Sequence, residues 1–154
     1  MRWNSYRTAS VILLVYCLLH SYGALIATPD FGGAADSVLK SMRETHFLVQ
    51  GFEDTWYGFY LGFGWIASLF FVLTAMQLWI IGGRELVDRR RDRPLVVLLA
   101  VAYAIALGLC LQFFFPAPLG FSAAALVAIA WALISDAMRV RRISRRDESS
   151  PAVG

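Results

Sequence analysis

Lysine is almost missing from this chain, with one residue against thirteen arginines. Cysteine is nearly as scarce: Cys17 and Cys110 each stand alone inside an apolar run. Neither has a neighbour at CxxC spacing, which excludes four-helix thiol-oxidising membrane enzymes, and both read as buried apolar thiols. Charge of either sign is absent from the middle of every long apolar stretch. There is no embedded carboxylate of the kind small proton-coupled multidrug exporters depend on. The paired membrane-face carboxylates of aspartyl peptidases and the Asp-rich motif of lipid phosphotransferases are missing too. No internal repeat supports an inverted-repeat transporter. No nucleophile lies at a telling distance from a base, so no catalytic residue is named. No metal-ligand cluster and no cofactor motif is present.

What remains is apolar. Hydrophobic residues make up 58% of the 154 positions, above the usual range for soluble domains. A helix needs about 20 such residues to cross roughly 30 Å of hydrocarbon. Four stretches qualify, at about 9–27, 56–81, 94–115 and 119–138. They predict a single all-α domain, an integral membrane four-helix bundle occupying 1–154. The first stretch has a basic start and small residues at its end, but its length and the bulky Leu25 argue against cleavage; it reads as a retained span.

Twelve of the fourteen basic residues fall in three clusters: Arg2 and Arg7; Arg84, Arg89, Arg90, Arg91 and Arg93; Arg139, Arg141, Arg142, Arg145 and Arg146. Arginine near helix ends stays on the cytoplasmic side. The loop 82–93, the tail 139–154 and both termini are therefore assigned to the cytoplasm. The net charge of +3 flanks helix ends rather than lining one surface, so it points to anionic lipid headgroups and not to nucleic acid. In this reading the clusters are orientation anchors, the tail is frayed, and Asp136 pairs with Arg139 one turn on.

The segment 28–54 is then extracytoplasmic. Pro29-Asp30-Phe31-Gly32-Gly33 is turn chemistry. Asp36 is placed to cap a helix whose apolar face is Leu39, Met42, His46 and Val49, with Lys40 and Glu44 paired on the wet side. This predicts a short amphipathic helix ended by Gly51. Asp54 is the expected cap of the second span, and Trp56, Tyr57, Tyr60 and Trp79 suit the aromatic belts. Pro94 fits the first turn of the third span, and Pro116–Gly120 a tight hairpin into the fourth.

Small residues recur at four-residue spacing: Gly58 and Gly62, Gly64 and Ser68; Ala100, Ala104 and Gly108; Ala124, Ala128 and Ala132; and, less regularly, Cys17, Ser21 and Ala24. Such ladders let helix backbones approach in a bilayer. His20 is the one ionisable side chain within a span, and the set Cys17, Ser21 and Ala24 turns it toward the bundle. The densest polar group is Arg43, Glu44, His46, Glu53, Asp54, Tyr57 and Tyr60. The candidate ligand site therefore comprises His20, Arg43, His46, Glu53, Asp54, Tyr57, Tyr60 and Gly62, a pocket opening outward beside the glycines, where Arg43 suits an anionic headgroup or carboxylate.

The residues Met42-Arg43, Phe47, Gly51, Phe59-Tyr60-Leu61-Gly62-Phe63-Gly64 and Trp79, preceded by His20 and Gly23, resemble a group of small bacterial membrane proteins. These are uncharacterised four-helix proteins whose second span carries a Phe/Tyr-x-x-Gly-Phe-Gly motif. The resemblance covers about 12–115 and implies four spans and a bacterial inner (cytoplasmic) membrane, but no activity.

The expected function is accordingly non-enzymatic: a multi-pass protein binding membrane lipid, or a small apolar or anionic ligand, at its outer mouth, or packing against a membrane partner. Two alternatives stand beside it. One is a redox or lipid-modifying enzyme using His20 and His46. The other is a structural subunit or homo-oligomer held by the alanine ladders.

Overall fold

The computed structural model describes residues 3–27 and 30–149, with side chains described as far as Arg145. Four helices are long and apolar enough to cross a membrane: Ser5–Ile26, Trp56–Gly83, Leu86–Phe113 and Pro116–Arg145. The fold is an all-α four-helix membrane bundle. Leu18, Phe70, Leu98 and Val127 are among many large apolar side chains left exposed along these helices, as surfaces meant for lipid tails are.

Helix α1 (Ser5–His20) starts earlier than its apolar run. Asn4 explains this: its Oδ1 accepts the N–H of Arg7 at 3.2 Å, the side-chain cap that Asn favours. After His20 the backbone widens into a π-helical turn, Ser21–Ile26, closed where Ala27 N–H donates to Tyr22 O at 2.7 Å. Arg2, Thr28, Pro29 and 150–154 lie outside the described residues. Within the expected Pro29 turn, Asp30 Oδ1 accepts the N–H of Gly32 at 2.8 Å.

The segment between the first two spans departs from expectation. Helix α2 (Gly33–Glu44) stops well short of Gly51, and a hairpin of β1 (His46–Val49) and β2 (Phe52–Thr55) follows. His46 pairs with Thr55 and Val49 with Phe52. Gln50 and Gly51 form the two-residue turn with φ of 53° and 83°, the doubly left-handed geometry that matches strand twist. The spacing of Leu39, Met42, His46 and Val49 imitates a helix, yet its second half is the β-forming run Thr45-His46-Phe47-Leu48-Val49. Asp36 is not the cap. It sits in the first turn and accepts the N–H of Phe31 at 3.3 Å. Lys40 and Glu44 do pair, at 3.8 Å.

Helix α3 (Trp56–Gly83) is capped by Thr55 rather than Asp54: Thr55 Oγ1 accepts the N–H of Gly58 at 3.0 Å. The expected loop 82–93 shrinks, because α4 (Leu86–Phe113) already begins at Leu86 and takes Pro94 into its interior. Arginine and leucine are good helix formers, and Arg84 clamps the short connection onto α4 through both oxygens of Asp92, at 2.8 and 2.7 Å. Helix α5 (Pro116–Ser149) starts on Pro116 and continues through the arginines expected to fray.

The chain divides into two compact units, one of 1–13 with 74–154 and one of 14–73. In the first, Tyr6, Ala9 and Leu13 of α1, Ala75, Leu78 and Ile81 of α3, Val96 and Tyr103 of α4, and Ala125, Ile129 and Ala132 of α5 make the core. Ser10 Oγ donates to Ala75 O at 2.6 Å inside it. The α4 seam is Arg89, Val96, Tyr103 and Cys110, one residue every seven, so the expected ladder is wrong for its last two members: Ala104 and Gly108 are exposed. On α5 the buried set is Ser122, Ala125, Ile129 and Ala132, leaving Ala124 exposed. The heptad-spaced side chains of α4 thus share the core with mostly small residues of α5.

In the second unit Ser21 and Ser68 bond through their hydroxyls at 2.9 Å, and Cys17 Sγ donates to Ser68 O at 3.4 Å. Buried Leu25 seats its side chain against Gly64, where a Cβ would collide with it.

Candidate anion-binding site

The residues expected to form an outer pocket are all in the second unit, where they divide into local sets. Arg43, near the end of α2, lays its guanidinium 4.4 Å from the centre of the Tyr57 ring and donates from Nη2 to Tyr57 Oη at 3.3 Å. Tyr57 stacks on Tyr60, centroids 6.1 Å apart, and Tyr60 Oη donates to Ala24 O at 3.4 Å. His46 Nδ1 lies 3.7 Å from Glu53 Oε1 across the hairpin, with both side chains exposed. Asp54 accepts the N–H of Thr55 at 2.7 Å and fills the space beside Gly58.

His20 has its own surroundings. Its Nε2 is 3.3 Å from Gly64 O, and its ring meets the edges of Tyr16 and Phe71. The glycines do not line a common hollow: Gly58 is occupied by Asp54, Gly64 by Leu25, and exposed Gly62 faces open space. These candidate residues thus satisfy one another in separate groups. Among the described residues, no three His, Cys, Asp or Glu side chains gather as a metal site requires.

A different site lies in the first unit, where three helices converge. Tyr6 of α1, Arg89, Arg90 and Arg93 of α4, and Leu133, Asp136, Ala137, Val140 and Arg141 of α5 surround a cavity of about 210 Å³. The placement follows from the helix repeats. Arg89 begins the seven-residue seam that continues through Val96, Tyr103 and Cys110, while Asp136 follows Ile129 and Ala132 along α5.

Asp136 does not pair with Arg139 in the way the sequence suggests. Tyr6 Oη donates to its Oδ2 at 2.9 Å, and Arg89 Nη1 stands 3.4 Å from its Oδ1. These partners come from other helices and hold the carboxylate within the packed seam, where an interaction gains strength from the lower dielectric. The Arg89 guanidinium also lies over the Tyr6 ring at 5.6 Å. Arg89 is only 7% exposed, and its Nε has no hydrogen-bond partner.

Two members of the arginine clusters are not on the surface. Arg89 is folded in, as is Arg7, whose guanidinium lies 5.1 Å from the Trp79 ring. A buried guanidinium normally has its donors satisfied, since each unmade bond to a charged group costs more than a neutral one. Arg89 alone meets the carboxylate, while exposed Arg90, Arg93 and Arg141 complete the lining, a set of donors that suits a multi-oxygen anion. The sequence signal was available in the heptad run from Arg89 to Cys110.

No family model, curated protein or solved structure matches the chain.

Proposed function

We propose that this is a multi-pass protein of the bacterial inner membrane, with both termini cytoplasmic, that binds an anionic ligand in the arginine-lined cavity. It acts by binding and not by catalysis. The observation carrying this reading is Arg89: a buried guanidinium that lines the cavity, held to Asp136 by one long contact and with its enclosed Nε unmatched by protein. Positive residues at helix ends favour the cytoplasmic side, so the cavity opens where anionic lipid headgroups are attracted. Depth agrees with this. Arg93 directly precedes the apolar run of α4, and Asp136 stands just before Arg139, where that of α5 ends.

The outer residues are a weaker candidate because Arg43 is already stacked on Tyr57 and bonded to its hydroxyl. A role as a subunit of a larger assembly draws on one further observation: Gly108 and Ala124 are exposed small residues in otherwise apolar helices, a composition suited to helix association.

The test is lipid-dependent stabilisation of purified protein. Bilayer discs containing anionic lipid should raise the unfolding temperature above that in zwitterionic discs, and Arg89→Gln should abolish the difference. Equal stabilisation in wild type and variant would remove the cavity from consideration.

A further inference from the structure

Resting on that reading, we infer that the ligand presents a terminal phosphate, a phosphomonoester or pyrophosphate group, and that it binds by taking Arg89 from Asp136.

Charge is the first reason. Arg89, Arg90, Arg93 and Arg141 contribute four positive charges and Asp136 one negative, so among the lining residues four minus one leaves a net charge of three. A phosphodiester brings a single negative charge. A terminal phosphate brings about −1.5 to −2 at neutral pH and three acceptor oxygens, which suits several guanidinium groups at once.

Bond geometry is the second. Arg84 and Asp92 show what a committed pair looks like in this chain, with two contacts at 2.7 and 2.8 Å. Arg89 meets Asp136 at 3.4 Å, beyond the roughly 2.7–2.9 Å of a strong charge-assisted bond. Its Nε is unused. A phosphate offers two parallel acceptors to a guanidinium edge, which Asp136 does not supply from this position.

The third reason is Tyr6. Its hydroxyl donates to the other oxygen of Asp136, at 2.9 Å. When a phosphate engages Arg89, the carboxylate keeps that partner and is not left bare. Asp136 is therefore a competitor held in reserve: it neutralises Arg89 when the cavity is empty and yields when a stronger anion arrives. Leu133, Ala137 and Val140 give the cavity an apolar wall on α5, compatible with the hydrocarbon side of a headgroup. A phospholipid monoester and a free phosphate compound share the recognised chemistry, and the experiment separates them.

The full chain is placed in zwitterionic discs doped with either phosphatidic acid, a monoester, or phosphatidylglycerol, a diester. Binding is read by native mass spectrometry, with inorganic pyrophosphate as the soluble probe. The monoester lipid should bind about tenfold more tightly than the diester, the worth of roughly one charge-assisted bond. Its binding should tighten as pH rises from about 5 to about 7.5, because the second phosphate ionisation lies near 6. Asp136→Asn removes the competitor and should strengthen monoester binding several-fold, while Arg89→Gln loses it. Arg89-dependent binding of pyrophosphate with neither lipid bound would assign the same chemistry to a soluble ligand. Equal, Arg89-dependent binding of both lipids would overturn the monoester inference and leave the anion cavity standing. No Arg89-dependent binding of any probe overturns both. Weakened binding in Asp136→Asn contradicts the displacement step, and the wild-type lipid comparison decides the ligand class if that variant does not fold.

Discussion

The hairpin region and the arginine-lined cavity both concentrate polar side chains, yet they handle charge in opposite ways. Around the hairpin, Lys40, Glu44, His46 and Glu53 are exposed and paired at 3.7–3.8 Å, where water can replace either partner. Around the cavity, Arg89 is buried with Asp136 as a loose counter-ion and one donor unmatched. A dense polar patch is therefore a poor guide to a binding site. Unfinished pairing of a desolvated charge is a better one, since it gives a ligand something to complete.

Substitutions should separate the regions by size of effect. Asp136→Ala leaves Arg89 without its counter-ion and removes the acceptor of Tyr6, so it should cost about 3 kcal/mol in reversible unfolding, the scale of a broken buried pair. Added terminal-phosphate ligand should recover part of that loss. In the region of 14–73, Gly64→Ala forces Leu25 to move and should cost about 1 kcal/mol, whereas Gly62→Ala meets open space and should be neutral or slightly stabilising. A cost at Gly62 equal to that at Gly64 would mean the outer glycines share a packed surface after all. His46→Ala removes one exposed pair and should change stability by less than about 0.5 kcal/mol. A larger loss would give the hairpin charges a role that their exposure denies.

Orientation can be tested separately. A cysteine at Ser37 should react with an impermeant maleimide added to the periplasmic side, and one at Ser144 should not; Cys17 and Cys110 are buried and give little background. The reversed labelling pattern would place the cavity outside and remove cytoplasmic-leaflet lipid as its ligand.

The four spans were legible in the sequence because long charge-free runs leave few other solutions for a chain in hydrocarbon. Helix ends were less so. The stretch from Leu86 to Arg93 looks like a loop by its charge, but Leu86 and its four arginines are helix formers, and α4 simply continues its buried seam to Arg89. The hairpin was hidden because His46 and Val49 prolong the helical spacing of Leu39 and Met42, while Gln50 occupies a left-handed turn position more often filled by Asn or Gly. The cavity was hidden for another reason. Tyr6, Arg89 and Asp136 are distant in the chain, and Asp136 has a nearer arginine at 139 that satisfies any local argument. Only the two seams, read together, bring Arg89 and Asp136 to one place.

The central claim is that the binding charge is Arg89 and not Arg43. Lipid extracted from purified wild type, Arg89→Gln and Arg43→Ala, quantified by mass spectrometry, tests it most directly. Anionic lipid should co-purify with the wild type and with Arg43→Ala, and be depleted from Arg89→Gln. Depletion in Arg43→Ala with retention in Arg89→Gln would contradict the account and return the site to the outer face.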